Sequence, residues 1–176
     1  MKIRSSTIVA AFLCLVFSGS LCSGADTDRQ GFRVIVPTTI SIVAPVTTPT
    51  ITHDQSDNNQ PFPVQTWTVK GNLATGVNVA FSTMSAFVNN ANTASRRNVQ
   101  LGLAVNGAQG PAAWAVTNAT DSTNYLAGDE VAQVTARSDG AGSANFDLSV
   151  TFVTEDFDLF TAGQYEVTVV GTVAAN

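Results

Sequence analysis

The dominant pattern along the chain is an alternation of apolar and polar positions with a period of two, which is typical of β-strands that bury one face. The longest example runs from Ala144 to Phe152, where every second residue is apolar and the residues between are Asn, Asp, Ser and Thr. A second example runs from Tyr165 to Val173 near the C-terminus. Both segments are therefore predicted to be strands with a defined inner face.

Shorter stretches of alternating or dense apolar residues predict further strands, at 32–36, 39–44, 64–70, 77–81, 99–105, 113–117 and 132–136. With the two longer segments they make about nine strands. Turn residues separate them: 138–142 is predicted to close a hairpin, and 107–111 and 162–163 are predicted to interrupt the chain. Short strands at this spacing are typical of a β-sandwich or a β-barrel.

The rest of the chain is predicted to be loop. Residues 52–60 and 85–98 are polar and are expected to form long loops. A single helical turn is expected at 155–160, and no amphipathic helix is predicted after residue 25. No linker, low-complexity tract or repeat divides 26–176, which is therefore predicted to be one β domain.

The N-terminus carries the three parts of a secretory signal peptide. Lys2 and Arg4 form the basic start, residues 8–17 form the apolar run, and small residues follow. That run is shorter than the about 20 residues that a membrane-spanning helix needs. We therefore expect cleavage after Gly24 or Ala25 and a mature protein that is secreted or displayed at the cell surface.

Cleavage at that point removes both cysteines, Cys14 and Cys22. The mature domain is then predicted to lack disulfides, thiolate metal sites and a cysteine nucleophile, with lipidation at Cys22 as the alternative. Loss of Lys2 and Arg4 leaves six basic against 13 acidic residues, a net charge of −7 instead of −5. This charge makes nucleic acid a poor partner, and no later apolar run is long enough for membrane insertion.

Charged residues are scarce: they make up 12% of the chain, whereas hydrophobic residues make up 44%. The surface of the folded domain must therefore be covered largely by Thr, Ser, Asn and Gln. Such a surface is typical of a durable extracellular protein or of one that packs against copies of itself.

The loop at 52–60 contains the only histidine, His53, and a high density of side-chain oxygens. Asp54, Asp57 and Asn59 are candidate ligands for calcium, which takes about six to eight oxygen atoms. The alternative is a solvated loop capped by its own side chains, because the central glycine and the final glutamate of an EF-hand are missing. Further candidate ligands from a second loop are Asp121, Asp129 and Glu130.

Catalytic interpretations find little support. Glu155, Asp156 and Asp158 lie close together, and glycoside hydrolysis uses paired carboxylates. One of them would have to be buried enough to hold a proton, whereas neighbouring acids in a turn are normally solvated and ionised. A triad built on His53 lacks the Gly-x-Ser-x-Gly sequence. We therefore predict that the protein is not an enzyme.

Aromatic residues raise the question of carbohydrate binding. Trp67 and Trp114 lie within alternating apolar strands, so we predict that both pack in the core instead of stacking on sugar rings. Tyr125 is the better candidate for an exposed aromatic side chain. Asn118 begins an Asn-Ala-Thr glycosylation sequon, a pattern too common to indicate function by itself.

The C-terminal segment from Gly163 to Val173 resembles the last strand of bacterial fimbrial subunits and of secreted spore-coat-U-like proteins. In those families an Ig-like sandwich ends in a strand of the type Gly-x-Tyr-x-x-Thr-Val, which meets a chaperone and then a neighbouring subunit. Gly163 is also fourteenth from the end of the chain, where pilins often carry a glycine. The chain departs from them at Ala175, where many pilins have tyrosine, and the predicted mature domain, 26–176, has no cysteines for their disulfide.

The resemblance implies a single Ig-like antiparallel β-sandwich with Greek-key connections and a structural or adhesive role at the cell surface, with copies of the chain or related surface subunits as partners. Residues 26–44 are expected to form an N-terminal extension or a donated strand, the alternative being that they pair within their own sheet. The residues expected to take part in assembly are Phe32, Val34 and Val36 in the extension and Tyr165, Val167 and Val169 in the last strand. The alternative function is an extracellular module that binds carbohydrate or calcium.

Overall fold

A computed structural model describes residues 26–176, which form thirteen strands and two 3₁₀ turns. All strand pairings among these residues are antiparallel. The prediction of an all-β fold is therefore confirmed. The predicted signal peptide at residues 1–25, with Cys14 and Cys22, lies outside the described residues.

The largest sheet has six strands. In order across the sheet these are β1 (Ile40–Val43), β3 (Gln65–Gly71), β11 (Gly142–Phe152), β7 (Val99–Gln109) and β9 (Thr120–Ser122), with β2 (Gln60–Pro61) beside β11. The second sheet contains, in order, β13 (Val169–Ala175), β4 (Val77–Thr83), β10 (Gln133–Ser138) and β8 (Trp114–Asn118). A small third sheet contains β12 (Tyr165–Glu166), β5 (Phe87–Asn89) and β6 (Arg96–Arg97). The 3₁₀ turns span Tyr125–Ala127 and Phe157–Leu159.

The core lies between the two larger sheets, as in a β-sandwich. Phe81 of β4 packs against Trp67 of β3 with ring centroids 5.2 Å apart and against Phe146 of β11 at 6.1 Å. Trp114 of β8 also reaches Phe146, at 5.6 Å. Aromatic pairs at these separations contribute about 0.5–1.5 kcal/mol beyond the area that they bury. The prediction that both tryptophans pack against the core is confirmed.

The alternation of the sequence corresponds to the two faces of the sheets. In β11, Ala144, Phe146 and Leu148 are buried, whereas Asn145 is exposed and Asp147 is partly exposed. The strands β4 and β10 follow the same rule. Because the side-chain period of a strand is two, these apolar positions fix which face of each strand meets the core.

Along one lateral edge of the sandwich, an edge strand of one sheet continues almost directly into an edge strand of the other. There, β8 in the second sheet and β9 in the first are separated by Ala119 alone, and its carbonyl accepts a hydrogen bond from the Leu103 amide at 2.8 Å. On the other side, β1 and β13 are the outermost strands of separate sheets. We call this side the open seam.

Gly171 allows the two sheets to approach at the open seam. A β-carbon at Gly171 would lie 2.7 Å from Cζ3 of Trp67 and 2.8 Å from Cδ1 of Ile42. Real β-carbons do not approach other atoms this closely, so the glycine leaves the space that Trp67 and Ile42 fill.

The predicted hairpin at 138–142 is wrong. The strands on either side of it, β10 and β11, belong to different sheets, so the segment carries the chain across the sandwich. Asp139 pairs with the start of β8: its amide donates to the Ala113 carbonyl at 3.2 Å, and its carboxylate accepts from the Ala113 amide at 2.7 Å. Both flanking strands bury apolar residues, and packing on opposite sides of one core requires this crossing.

The predicted strand at 32–36 is also absent, since the first strand in the described part of the chain begins at Ile40. Residues 40–43 pair with β3, so the extension expected over 26–44 reaches no further than residue 39. The compact unit of the domain spans Val36–Asn176, and residues 26–35 belong to a separate unit.

Other differences concern strand ends and short strands. The strand β7 continues through Gly107, and the chain turns at Gly110, whose φ is 93°. The strand predicted over 165–173 is divided into β12 and β13, which pair in different sheets. The predicted loop at 85–98 contains β5 and β6, and the helical turn expected at 155–160 is confirmed as the 3₁₀ turn Phe157–Leu159.

Candidate functional site

Tyr165 is partly buried and packs against the core, so much of its side chain is used within the domain. Its hydroxyl donates to the Thr161 carbonyl at 2.9 Å and lies 3.1 Å from Oγ of Ser95. Its ring packs edge-on against Phe152, with centroids 5.5 Å apart. Tyr165 therefore anchors β12, which precedes the last strand, to the core.

Val167 and Val169 also face inward and pack against the buried core. The exposed apolar residue of this segment is Val170, which retains 46% of its accessible surface. The three C-terminal residues predicted for assembly thus have their side chains turned towards the domain. What this segment offers to a partner is the backbone edge of β13.

The strand β13 is the edge of the second sheet, and within the described residues its only pairing is with β4. Its sequence, Val-Val-Gly-Thr-Val-Ala-Ala, contains no proline and no charged residue. Edge strands of soluble proteins are usually protected by lysine, proline or a bulge, because the free N–H and C=O groups can pair with another chain. This edge has none of these within the strand.

The far end of β13 is held in place by the last residue. The side-chain amide of Asn176 donates to the carbonyls of Thr75 and Ser138, both at 2.8 Å. The free edge is therefore a fixed part of the domain along its whole length.

A shallow depression of about 300 Å³ lies at the start of β13. Its apolar lining comes from Met84, Val88, Val167 and Val170, and Met84 is 74% exposed. Glu166 is the only charged residue of the lining. The depression therefore combines an apolar surface with a single negative charge.

The N-terminal residues predicted for assembly are exposed. Phe32, Val34 and Val36 retain 87%, 86% and 76% of their accessible surface, and Ile35 between them is exposed as well. Large apolar side chains at such density are normally covered in a soluble protein. They are the largest concentration of exposed apolar residues in the described part of the chain.

The predicted calcium ligands are hydrogen-bond acceptors that shape their own loop. Oδ1 of Asp54 accepts from the Ser56 hydroxyl at 2.7 Å, from the Ser56 amide at 3.0 Å and from Nε2 of Gln60 at 2.8 Å. The hydrogen bonds from Ser56 lower the pKa of Asp54 below its ordinary value. Hydrogen bonds within the loop and a lowered pKa of Asp54 are both expected of a loop capped by its own side chains.

Asp57 and Asn59 attach the same loop to the chain that follows β11. Oδ1 of Asp57 accepts from the Phe157 amide at 2.9 Å, and Oδ1 of Asn59 accepts from the Thr154 amide at 3.0 Å. Among residues 26–176 no group of three or more His, Cys, Asp and Glu side chains is arranged to hold a metal ion. Calcium binding stays the alternative to a loop capped by its own side chains.

His53 anchors the loop to a cluster of aromatic rings. Its ring stacks on Phe157 at 5.1 Å and meets Phe160 edge-on at 5.2 Å. Its Nδ1 accepts from the Gln55 amide at 3.0 Å, and Nε2 lies 3.1 Å from Oγ1 of Thr154. Because the Thr154 hydroxyl donates to the Asn58 carbonyl, it is placed to accept a hydrogen bond from Nε2.

The acids predicted in the second loop are engaged as well. Glu130 forms an ion pair with Arg96 and accepts from the Ala86 amide at 3.2 Å. Oδ2 of Asp121 accepts from the Gln133 amide at 2.7 Å. Asp129 meets Asn124 through the backbone, with the Asn124 amide 2.7 Å from the Asp129 carbonyl. Glu130 thus holds the loop after β9 to the third sheet, whereas Asp121 joins β9 to β10 of the second sheet.

Arg97 is a residue whose role the sequence did not reveal. Its guanidinium lies 4.2 Å from the centre of the Phe160 ring and donates to the Leu159 carbonyl at 2.9 Å. It also reaches the hydroxyl of the half-buried Tyr125 at 3.5 Å. Arg97 thus joins the two 3₁₀ turns. The only signal in the sequence was an Arg-Arg pair within a polar stretch.

The carboxylates considered for glycoside hydrolysis serve local structure. Oδ1 of Asp156 accepts from the Asp158 amide at 3.0 Å and caps the 3₁₀ turn. Glu155 accepts from Nδ2 of Asn98 at 3.2 Å. Asn118 of the sequon is exposed, and its side chain donates to the Gln133 carbonyl at 2.7 Å.

No helix within residues 26–176 is long and apolar enough to cross a membrane. A scan against models of protein families finds no match to the chain, and a search of curated proteins finds none either. The resemblance of the C-terminal segment to fimbrial and spore-coat-U-like subunits therefore stays a prediction.

Proposed function

We propose that the protein is an exported structural or adhesive subunit of the cell surface that assembles with copies of itself by strand exchange. Residues 1–25 would be removed on export, and the sandwich would have the Ig-like Greek-key connections of the proteins that its last strand resembles. The observation that carries the proposal is the unprotected edge of β13, a seven-residue strand without charge or proline.

The N-terminal segment has the properties of a strand that could pair with this edge in a second copy. Phe32, Val34 and Val36 alternate with Arg33 and Ile35, so an extended conformation gives the segment one uniform apolar face. Val36 precedes a proline, which restricts it to extended backbone conformations. Strand addition to a sheet edge combines backbone hydrogen bonds with alternate side chains that fill pockets.

The depression at the start of β13 fits one of these side chains. Its apolar lining includes Met84, Val88 and Val170, and Glu166 lies beside it. The segment carries Arg33 next to Phe32. The depression therefore offers an apolar lining to the apolar face of the segment, and Arg33 carries the charge opposite to that of Glu166.

An energy estimate indicates how strong one such contact would be. Full burial of Phe32, Val34 and Val36 contributes about 4.5–9 kcal/mol together. Ordering five residues of backbone costs about 5–10 kcal/mol. These terms nearly cancel, so the net gain comes from backbone hydrogen bonds of about 0.5–1.5 kcal/mol each. We therefore expect weak association in dilute solution that becomes stronger as the protein concentration rises.

Cross-linking tests the proposal directly, since residues 26–176 contain no cysteine. Val34→Cys and Thr172→Cys are made in separate chains, mixed and oxidised. A disulfide between them requires that the segment of one copy reaches β13 of another. Asn145→Cys, on the exposed face of the first sheet, replaces Thr172→Cys in the control mixture.

The proposal predicts heterodimers from the first mixture and few from the control. Light scattering of the unsubstituted chain 26–176 should show oligomers that grow with concentration, and deletion of 26–36 should abolish them. A monomer at all concentrations, with equal cross-linking in both mixtures, would contradict the proposal.

A further inference from the structure

Asn106 is an extra residue in the pairing of β7 with β11. Val105 pairs with Phe146 and Gly107 pairs with Asn145, so the register shifts by one and Asn106 has no partner opposite it. This is a β-bulge, which leaves the bulged residue outside the regular ladder. Asn106 is followed by glycine, and this is the only Asn-Gly pair in the sequence.

Water has access to both residues of this pair, because both are exposed. A β-carbon built at Gly107 would meet no atom within 4 Å. On the side of β7 away from β11, the neighbouring strand β9 pairs only with residues 100–102. The bulge therefore lies beyond the part of β7 that has neighbours on both sides.

The side chain of Asn106 is held in place by a carboxylate. Its Nδ2 donates to Oδ1 of Asp147 at 3.1 Å, and the same oxygen accepts from the Thr66 hydroxyl at 2.7 Å. This contact joins the exposed bulge to β11 through a single hydrogen bond from the Asn106 side chain.

We propose that Asn106 is a site of spontaneous deamidation in the folded protein. The backbone nitrogen of Gly107 attacks Cγ of Asn106 and loses its proton to solvent. The bond from Cγ to Nδ2 breaks, and Nδ2 leaves as ammonia after gaining a proton from water. The resulting succinimide is opened by one water molecule, which gives aspartate or isoaspartate. Glycine favours the attack because it has no β-carbon to obstruct the approach of its nitrogen.

The product changes the local electrostatics of the first sheet. The hydrogen bond from Asn106 to Asp147 is replaced by two carboxylates that repel each other. Isoaspartate also adds a methylene group to the main chain, which displaces the pairing of Gly107, Ala108 and Gln109 with the start of β11. The modification is therefore expected to loosen the end of β7 that follows the bulge.

Peptide mapping by mass spectrometry tests this inference on folded chain 26–176 incubated at mildly alkaline pH. The peptide that contains Asn106 should gain the mass of deamidation before those containing Asn78 or Asn118, and isoaspartate should be detected by enzymatic methylation. Gly107→Ala should slow the reaction several-fold. The open space at Gly107 should let this variant fold normally, which its circular dichroism would verify.

A parallel sample unfolded in urea provides the comparison. If the strand protected Asn106, the unfolded chain would deamidate there while the folded chain stayed intact, and this result would overturn the inference. An unchanged rate in Gly107→Ala would overturn it as well. Neither result depends on whether the protein assembles.

Discussion

Asn89 and Gly163 fit together so closely that a β-carbon at position 163 would lie 2.6 Å from Nδ2 of Asn89. Asn89 is fully buried, and its amide donates to the Thr161 carbonyl at 3.2 Å. Its Oδ1 accepts from the Ala91 amide at 2.9 Å and from the Asn92 amide at 3.2 Å. One side chain thus holds the turn before β12 and the loop after β5.

Gly163→Ala should therefore destabilise the domain. The residue has a φ of 151°, which disfavours side chains, and the new β-carbon would displace the Asn89 amide. We expect a loss of more than about 1 kcal/mol in the free energy of unfolding, measured in urea. Gly128→Ala is a matched control, since Gly128 also has a positive φ but no neighbour within 4 Å. Equal losses in both variants would show that the contact with Asn89 is unimportant.

Gly171→Ala should act on the open seam. The added carbon would overlap Trp67 and Ile42, and overpacking of this kind costs about 1–3 kcal/mol. The fluorescence of Trp67 should change together with the unfolding midpoint. Gly31→Ala, at a position with no atom within 4 Å, should change neither.

The strands with long alternating patterns were predictable, and the reason is physical. In β4 and β11 one face is buried, so the sequence must alternate, and the prediction follows from residues such as Phe81, Phe146 and Leu148. The small strands β5 and β6 show no such pattern. The strand β5 has three residues and β6 has two, which is too short for a period to be recognised. In β5, moreover, the buried residue Asn89 is polar.

The sequence did not reveal which strands pair on either side of each turn. It also did not reveal which groups donate hydrogen bonds to the side-chain oxygens of the loop at 52–60. The turn at 138–142 has the composition of a hairpin, but whether it returns to the same sheet depends on how the whole core packs. Asp54, Asp57 and Asn59 were recognisable as oxygen-rich. Their contacts with Ser56, Phe157 and Thr154 depend on the fold, and two of these partners lie about 100 residues away in the chain.

The hydrogen bonds at Asp54 predict a pH effect. They lower its pKa in the folded state, so they stabilise the fold above the ordinary pKa of 3.8, and this contribution is lost as the pH falls through the lowered folded-state value. Asp54→Asn should melt slightly below the unsubstituted chain at neutral pH, and the difference should shrink in acid. Melting curves from pH 7 to about pH 2 would check this. A difference that grew in acid would contradict the assignment.

Calcium should leave the melting temperature of chain 26–176 unchanged at millimolar concentration. The side-chain oxygens of Asp57 and Asn59 are used to hold the chain after β11, and no metal-binding group of acids is found in residues 26–176. A ligand that binds only the folded state must raise the melting temperature. A rise with calcium but not with magnesium would favour the alternative function of a calcium-binding module.

Thr172→Lys should separate folding from assembly. Thr172 is exposed in the middle of β13, where a lysine would protect the free edge as charged residues do in other edge strands. Surface substitutions of this kind usually change stability by less than about 0.5 kcal/mol. We therefore expect unchanged melting but loss of the oligomers seen by light scattering.

Gln100→Lys makes the same change of charge at an exposed position of β7 in the first sheet and should leave the oligomers intact. If both variants assembled like the unsubstituted chain, the edge of β13 would not be the surface of association.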